Sequence, residues 1–307
     1  MPAVPSPEMR IPLGDSGIEV APLGWGMWRL GDAVEASVRS RVEAALEAGC
    51  TLFDTAAVYG YHKGAAFGTA ESLLGEVLRE APQLRAHMVL ATKAGIAPPI
   101  PYDSSAEHLC ASCEASLRRL NVERIDLFQI HRPDLLTHPA EVAAALERLR
   151  SAGKIRAAGV SNYSAAQFEA LAAHMPFALA AVQNELSPLA LEALSDGTLD
   201  AAMRHGTGVI AWSPLRQGRL GARSGALAED PRTDRVIAAL DTIAARAETT
   251  RAAVAYAWVM AHPARPIPLI GSQDPVRIRA ARAAYAVRLT RAEWYRILVA
   301  ARGSRMP

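Results

Sequence analysis

The stretch IRAAGVSNYSAAQFEALAAH, residues 155–174, contains one whole structural unit. Its first eight residues form an apolar, β-rich run that closes on Ser161-Asn162, the length and character of a strand buried on both faces. Ser164 then stands where a helix needs an N-terminal cap, with the helical pattern of AAQFEALAAH behind it. A strand leading directly into a helix is the building block of a parallel sheet.

The same unit recurs on both sides. Strand candidates are LGWGMW (23–28), TLFDTA (51–56), HMVLATK (87–93), IDLFQIH (125–131), IRAAGVSN (155–162), LAAVQNE (179–185), GVIAWSP (208–214) and PIPLIGS (266–272). Helix candidates lie between them at 34–48, 69–80, 106–120, 139–151, 164–174 and 198–205, followed by 234–247, 251–262 and 275–284. Asp274-Pro275 opens the last of these, while Gly49 and Gly153 fall where C-terminal caps belong. Eight regularly spaced βα units in a chain of 307 residues predict an α/β fold, a single (β/α)8 TIM barrel over residues 1–307. MRIPLGDSGIEVAPLG (9–24) reads as a hairpin turning at Asp15-Ser16-Gly17 and plugging one barrel end, and LTRAEWYRILVAA (289–301) as an extra C-terminal helix. Residues 216–233, rich in Gly, Arg and Asp, are the longest expected loop.

Half the residues are apolar, 21% are charged and the formal net charge is +2, with no block of like charge, so neither a nucleic acid nor a membrane surface is an expected partner. MPAVPSPEMR lacks the apolar core of a signal peptide, and the run AAVAYAWVMA between Arg251 and His262 is too short to span a bilayer. A cytoplasmic monomer acting on a small molecule is expected. Of the three cysteines, Cys110 and Cys113 form a CxxC inside an amphipathic helical pattern, away from the helix-opening turn a redox motif needs. The eight histidines show neither HxH nor HExxH spacing, so no metal site is expected.

Chemistry in a barrel gathers where the strands' carboxyl ends converge. Here those ends carry Asp54, with Tyr59 in its loop, then Lys93, His131, Ser161-Asn162, Gln183-Asn184 and Trp212-Ser213. An ammonium beside a phenol favours the phenolate, which would draw Tyr59 down from about 10 toward the range of a general acid. Asp54 would hold that ammonium, and His131 would polarise a carbonyl oxygen. Such a set protonates an oxygen while a hydride arrives at carbon. Lys93 as a Schiff-base lysine is the competing chemical reading, opposed by the amides of Asn162 and Gln183.

FDTAAVYG (53–60), ATK ending at Lys93, LFQIHRPD (127–134), GKIRAAGVSN (153–162), LAAVQNELSP (179–188), GVIAWSPLRQGRL (208–220) and IPLIGSQDPVRIRAA (267–281) occur in this order, and together they resemble the aldo-keto reductase superfamily. The resemblance is nearest to a bacterial branch of oxidoreductases with poorly defined substrates. It implies a small-molecule carbonyl substrate, Asp54, Tyr59, Lys93 and His131 as a catalytic tetrad with Tyr59 the proton donor, and a nicotinamide cofactor across the barrel mouth. Gly26, Met27 and Trp28 would line that cofactor, Ser161, Asn162 and Gln183 would bond its carboxamide, and Trp212 would stack on its ring. Ser213, Pro214, Leu215, Gly218, Gly271, Ser272, Gln273 and Arg277 would hold the remainder.

Ser272 and Arg277 sit at a helix N-terminus, where anions are favoured, which suits the 2'-phosphate of NADPH. Gly271 and Ala281 replace a phosphate-binding lysine and an adenine-contacting asparagine of many relatives, which leaves NAD open beside NADP. Because relatives of this fold also serve as cofactor-sensing subunits of ion channels, a regulatory binding role is the alternative to turnover. Substrate-wall candidates are Trp28, residues 132–138, the 216–233 loop and the tail after Ala301; Tyr61, His62 and Lys63 read as a solvated loop.

Overall fold

In the computed structural model, which describes residues 5–30, 35–61, 64–221 and 230–306, the strand and helix signals form a closed parallel barrel wrapped by helices. A small hairpin comes first, with β1 (Ile11–Pro12) antiparallel to β2 (Glu19–Val20). The barrel runs β3 (Gly24–Gly26), β4 (Leu52–Asp54), β5 (Val89–Ala94), β6 (Ile125–Ile130), β7 (Ile155–Ser161), β8 (Ala181–Glu185), β9 (Gly208–Trp212) and β10 (Ile267–Ile270), and β10 closes onto β3. Around it lie α1 (Glu35–Glu47), α2 (Thr69–Glu80), α3 (Ala106–Leu120), α4 (Pro139–Ser151), α5 (Ala165–Ala172), α6 (Thr198–His205), α7 (Pro231–Arg246), α8 (Arg251–Met260), α9 (Pro275–Ala280) and α10 (Arg291–Arg302).

Side chains alternate along a strand, so each strand here is buried on both faces, one row toward the helices and one toward the barrel axis. The inward row of the lower barrel is apolar: Leu52, Ala91, Leu127, Ala157, Ala181, Ile210, Ile267 and Leu269 make one cluster. Leu13, Ile18 and Val20 of the hairpin join it, so the hairpin plugs this end, as its sequence implied. Two residues further along β4, β5, β6 and β8, the same inward row becomes Asp54, Lys93, Gln129 and Gln183. Each of these polar side chains is buried.

Local signals account for most element ends. Ser164 and Gln167 make a reciprocal capping box at α5, Asp274 caps α9 ahead of Pro275, and Gly49 (φ +86°) and Gly153 (φ +71°) end α1 and α4 in left-handed conformation. Four expectations need correction. The helix expected from 234 begins at Pro231, because Asp230 caps the Arg232 N–H and Pro231 occupies the first turn, which also removes 231–233 from the expected loop. The helices expected to reach 174, 262 and 284 stop at Ala172, Met260 and Ala280, the last continuing as a 3-10 turn over Ala281–Ala286. Val34, His62, Lys63 and residues 222–229 of the expected loop lie outside the described residues. No helix among the described residues is long and apolar enough to cross a membrane.

Gly75, in the middle of α2, marks where that helix meets the end of α3, and a Cβ there would collide with the Arg119 carbonyl oxygen. Gly→Ala inside a helix ordinarily stabilises by about 1 kcal/mol. Here the sign reverses: Gly75→Ala is expected to lower stability by about 1–3 kcal/mol through overpacking, read as a fall in the urea midpoint at constant slope.

Candidate active site

Tyr59 reaches the barrel mouth from a loop that is fastened to the neighbouring strand. The Thr55 N–H donates to Ala91 O at 2.9 Å, the Ala57 N–H to Lys93 O at 3.2 Å, and the Tyr59 N–H to Ala56 O at 3.0 Å. The four residues between Asp54 and Tyr59 therefore carry the ring back over the ends of β4 and β5. His131 follows β6 directly, its N–H bonded to Ala94 O at 2.8 Å.

Lys93 is the centre of the group. It is buried, and its ammonium has three partners for its three donors: Asp54 Oδ2 at 2.6 Å, Thr55 O at 3.0 Å and Tyr59 OH at 3.0 Å. Since the Tyr59 oxygen accepts from Lys93, its own proton is directed elsewhere. The ring packs edge-on against His131, with centroids 5.7 Å apart. Asp54 Oδ1, the oxygen not used by Lys93, accepts from Gln183 Nε2 at 2.9 Å and Gln129 Nε2 at 3.4 Å. The structure thus brings Asp54, Tyr59, Lys93 and His131 together and adds Gln129, which the sequence reading missed; its signal was an amide two residues past the inward-facing Leu127 of β6.

Burial pushes the Tyr59 phenol up; Lys93 pulls it down, Asp54 pushes it up again, and the net direction is above the ordinary 10.0. The sequence expectation that Lys93 would draw the phenol down names a real effect but the wrong winner, because burial outweighs it. For Lys93, burial lowers the amine, yet Asp54 and Tyr59 together raise it above 10.5. An amine held in its charged form by a carboxylate partner is a poor Schiff-base nucleophile, which disfavours the aldolase reading. Burial, then the charges of Lys93 and Arg132, hold His131 well below 6.5, so its imidazole is neutral.

Beside this group runs a second chain of bonds. Ser161 Oγ donates to Gln183 O at 2.9 Å, Asn162 Nδ2 donates to Ser161 Oγ at 3.0 Å and to His131 O at 2.9 Å, and Trp212 Nε1 donates to Asn162 Oδ1 at 3.1 Å. Asn162 is left-handed (φ +60°) and ties β7 to β6 and β9, with its side-chain amide largely engaged by the protein. Met27 is fully buried, and its N–H donates to Asp54 O at 2.9 Å, which extends the β3–β4 ladder by one bond. Gly26 O accepts from Gln273 Nε2 at 3.1 Å, and Trp28 is 43% exposed.

Two loops beyond the barrel rim carry the remaining candidates. Ser213 (φ +55°) and Gly218 (φ +96°) bracket a tight turn through Leu215 that Ser213 Oγ stabilises by accepting the Gln217 N–H at 3.0 Å, while Pro214 is buried. After β10, Gly271 and Arg277 are exposed, Ser272 Oγ accepts the Asp274 N–H at 3.2 Å, and Arg277 lies 3.5 Å from Asp274. Cys113 is enclosed in α3 and burial pushes its thiol up to about 12, which is the inert state the helical reading implied. Among the described residues, no group of three or more His, Cys, Asp and Glu side chains could hold a metal ion.

Lys93→Met is expected to cost about 3–5 kcal/mol in denaturant unfolding, because Asp54 is then an unpaired buried carboxylate. Adding Asp54→Asn should recover part of that loss, since no uncompensated charge remains; a double variant no more stable than Lys93→Met would refute this account.

Comparison with known proteins places this geometry. Residues 22–300 match the Aldo/keto reductase family. The chain is 48% identical over 306 residues, 99% of each protein, to 6-dehydroglucose reductase of Novosphingobium aromaticivorans. It is 36% identical to the 6-dehydroglucose reductase of Agrobacterium fabrum, covering 96% of this chain and 98% of that one. A crystal structure of a thermostable aldo-keto reductase with the inhibitor epalrestat shares the fold at a TM-score of 0.81 and 23% identity, over 95% of this chain and 99% of that chain. The chain belongs to the aldo/keto reductase family and is an oxidoreductase that acts on carbonyl groups.

Proposed function

We propose that the chain reduces the aldehyde of a hexose-derived sugar, of the 6-dehydroglucose type, to the alcohol, with NADPH as hydride source and Tyr59 as proton donor. The observation that carries the chemistry is the 3.0 Å contact of Lys93 Nζ with Tyr59 OH beside a neutral His131. NADPH, when bound, supplies the hydride to the carbonyl carbon. The residues of this chain manage the oxygen: His131 polarises it by a hydrogen bond, Tyr59 gives it a proton, and Lys93 stabilises the phenolate left behind. Asp54 keeps Lys93 charged and in place.

The mouth suits a dinucleotide. Neither Gly218 nor Gly271 has a heavy atom within 4 Å of where a Cβ would stand, so both loops leave room beside the backbone, and Gln273 Oε1 is a buried acceptor without a partner. Ala281 is buried and offers no polar atom and Gly271 has no side chain, which leaves Ser272 and Arg277 to recognise a 2'-phosphate. The sugar assignment takes its support from the two relatives named 6-dehydroglucose reductase. Trp28 and Tyr61, 43% and 46% exposed in the loops after β3 and β4, are aromatic surfaces of the kind that pack on the C–H face of a sugar.

The test is loss of nicotinamide absorbance with 6-dehydroglucose, set against glucose-derived ketones and simple aldehydes. Tyr59→Phe should lower kcat by about 10²–10⁴-fold; equal turnover by both proteins would remove the proposal. Reduction needs protonated Tyr59, and the protonated fraction falls only as pH rises through a value raised above 10.0, whereas His131 charges only well below 6.5. The pH profile of kcat/KM for reduction should accordingly be level between 6.5 and 10.0, and a bell centred within that window would contradict the assignment. Arg277→Ala should raise KM for NADPH by about tenfold while leaving KM for NADH unchanged, the loss expected of one charge-assisted contact.

A further inference from the structure

Gln129 lies on β6 opposite Lys93 in register, fully buried in the inward row that continues from Leu127. A primary amide buried there destabilises the barrel unless its donors and acceptor are matched, and a leucine would fill the space without that demand. What Gln129 touches is Asp54 and Gln183. Its Nε2 is 3.4 Å from Asp54 Oδ1, and its Oε1 is 3.4 Å from Gln183 Nε2, which is itself 2.9 Å from the same Asp54 oxygen.

Charge sets the sense of both amides. A carboxylate oxygen accepts only, so an N–H of each glutamine must face Asp54, and the Gln129 carbonyl then meets the second N–H of Gln183. Both hydrogens of Gln183 are thereby engaged, which leaves Oε1 as that amide's remaining polar atom. Gln183 is also bound through its backbone to Ser161 and Asn162, since its carbonyl accepts from Ser161 Oγ and the Asn162 N–H, each at 2.9 Å. It therefore joins the proton-handling group to the neighbouring amides.

We infer that Gln129 is a positioning residue: it locks the Gln183 amide so that a bound nicotinamide carboxamide meets an acceptor there and no donor, and is gripped by its NH2 group. The inference rests on the nicotinamide reading of the mouth. Without Gln129, Gln183 is held by one bond to Asp54 and its second N–H is free to compete with Oε1 for the ligand.

The discriminating experiment measures cofactor binding by tryptophan fluorescence, using NADPH and its 3-acetylpyridine analogue, in which a methyl group replaces the carboxamide NH2. Wild-type protein should bind the analogue about three- to tenfold more weakly, the loss of one neutral hydrogen bond. In Gln129→Met, of similar volume, that ratio should fall toward one. A merely structural Gln129 would weaken both ligands by the same factor and leave the ratio as in wild type, which would overturn the inference. Gln129→Leu decides independently, and alone if the Met variant does not fold: it too removes the acceptor that engages the second N–H of Gln183, so the ratio should fall toward one, and a ratio equal to wild type overturns the inference. A wild-type chain that binds neither ligand would instead refute the nicotinamide reading itself, and the inference with it, a result that needs no variant.

Discussion

The buried ion pair between Lys93 and Asp54 is the constraint on which the mouth of this barrel depends. Removing two charges from water costs several kcal/mol per ion, and their attraction offsets this only when the remaining donors and acceptors are also matched. Here they are: the ammonium has three acceptors around it, and the second carboxylate oxygen has two amide donors. The backbone carbonyl of Thr55 and the phenol of Tyr59 belong to that solution, so the loop after β4 is held by the same ammonium that it serves.

From this follows the two-storey interior. The lower storey, plugged by the hairpin, is leucine, isoleucine and alanine and contributes stability by removing apolar surface from water. The upper storey consists of Asp54, Lys93, Gln129 and Gln183, whose polar groups answer one another and whose stabilising contribution is small. A buried network of this kind has value when it fixes geometry, because each member has one orientation in which all are satisfied. Rigid positioning of a phenol beside a neutral imidazole is what the proposed carbonyl reduction would use.

Burial also sets the protonation states. It raises Tyr59 and lowers His131, so the phenol keeps its proton and the imidazole stays neutral across the physiological range. In the proposed reaction Lys93 would act less by acidifying Tyr59 in the resting protein than by accommodating the negative charge that forms once the proton has left.

The sequence by itself determined the barrel. Period and length distinguished strands from helices, strand count and spacing distinguished closed barrel from open sheet, and the caps at Ser164 and Asp274 and the glycines at 49 and 153 placed element ends within a residue or two. It also marked Asp54, Tyr59, Lys93 and His131, because titratable groups closing apolar strands stand out in a linear pattern. Tertiary structure alone decided the rest. Which residue answers Asp54 Oδ1 depends on strand register across β5, β6 and β8, so Gln129 had no local signal stronger than an amide in a mostly apolar run. The direction of the Tyr59 shift needed the competition between desolvation and a neighbouring charge, and desolvation exists only once the ring is enclosed.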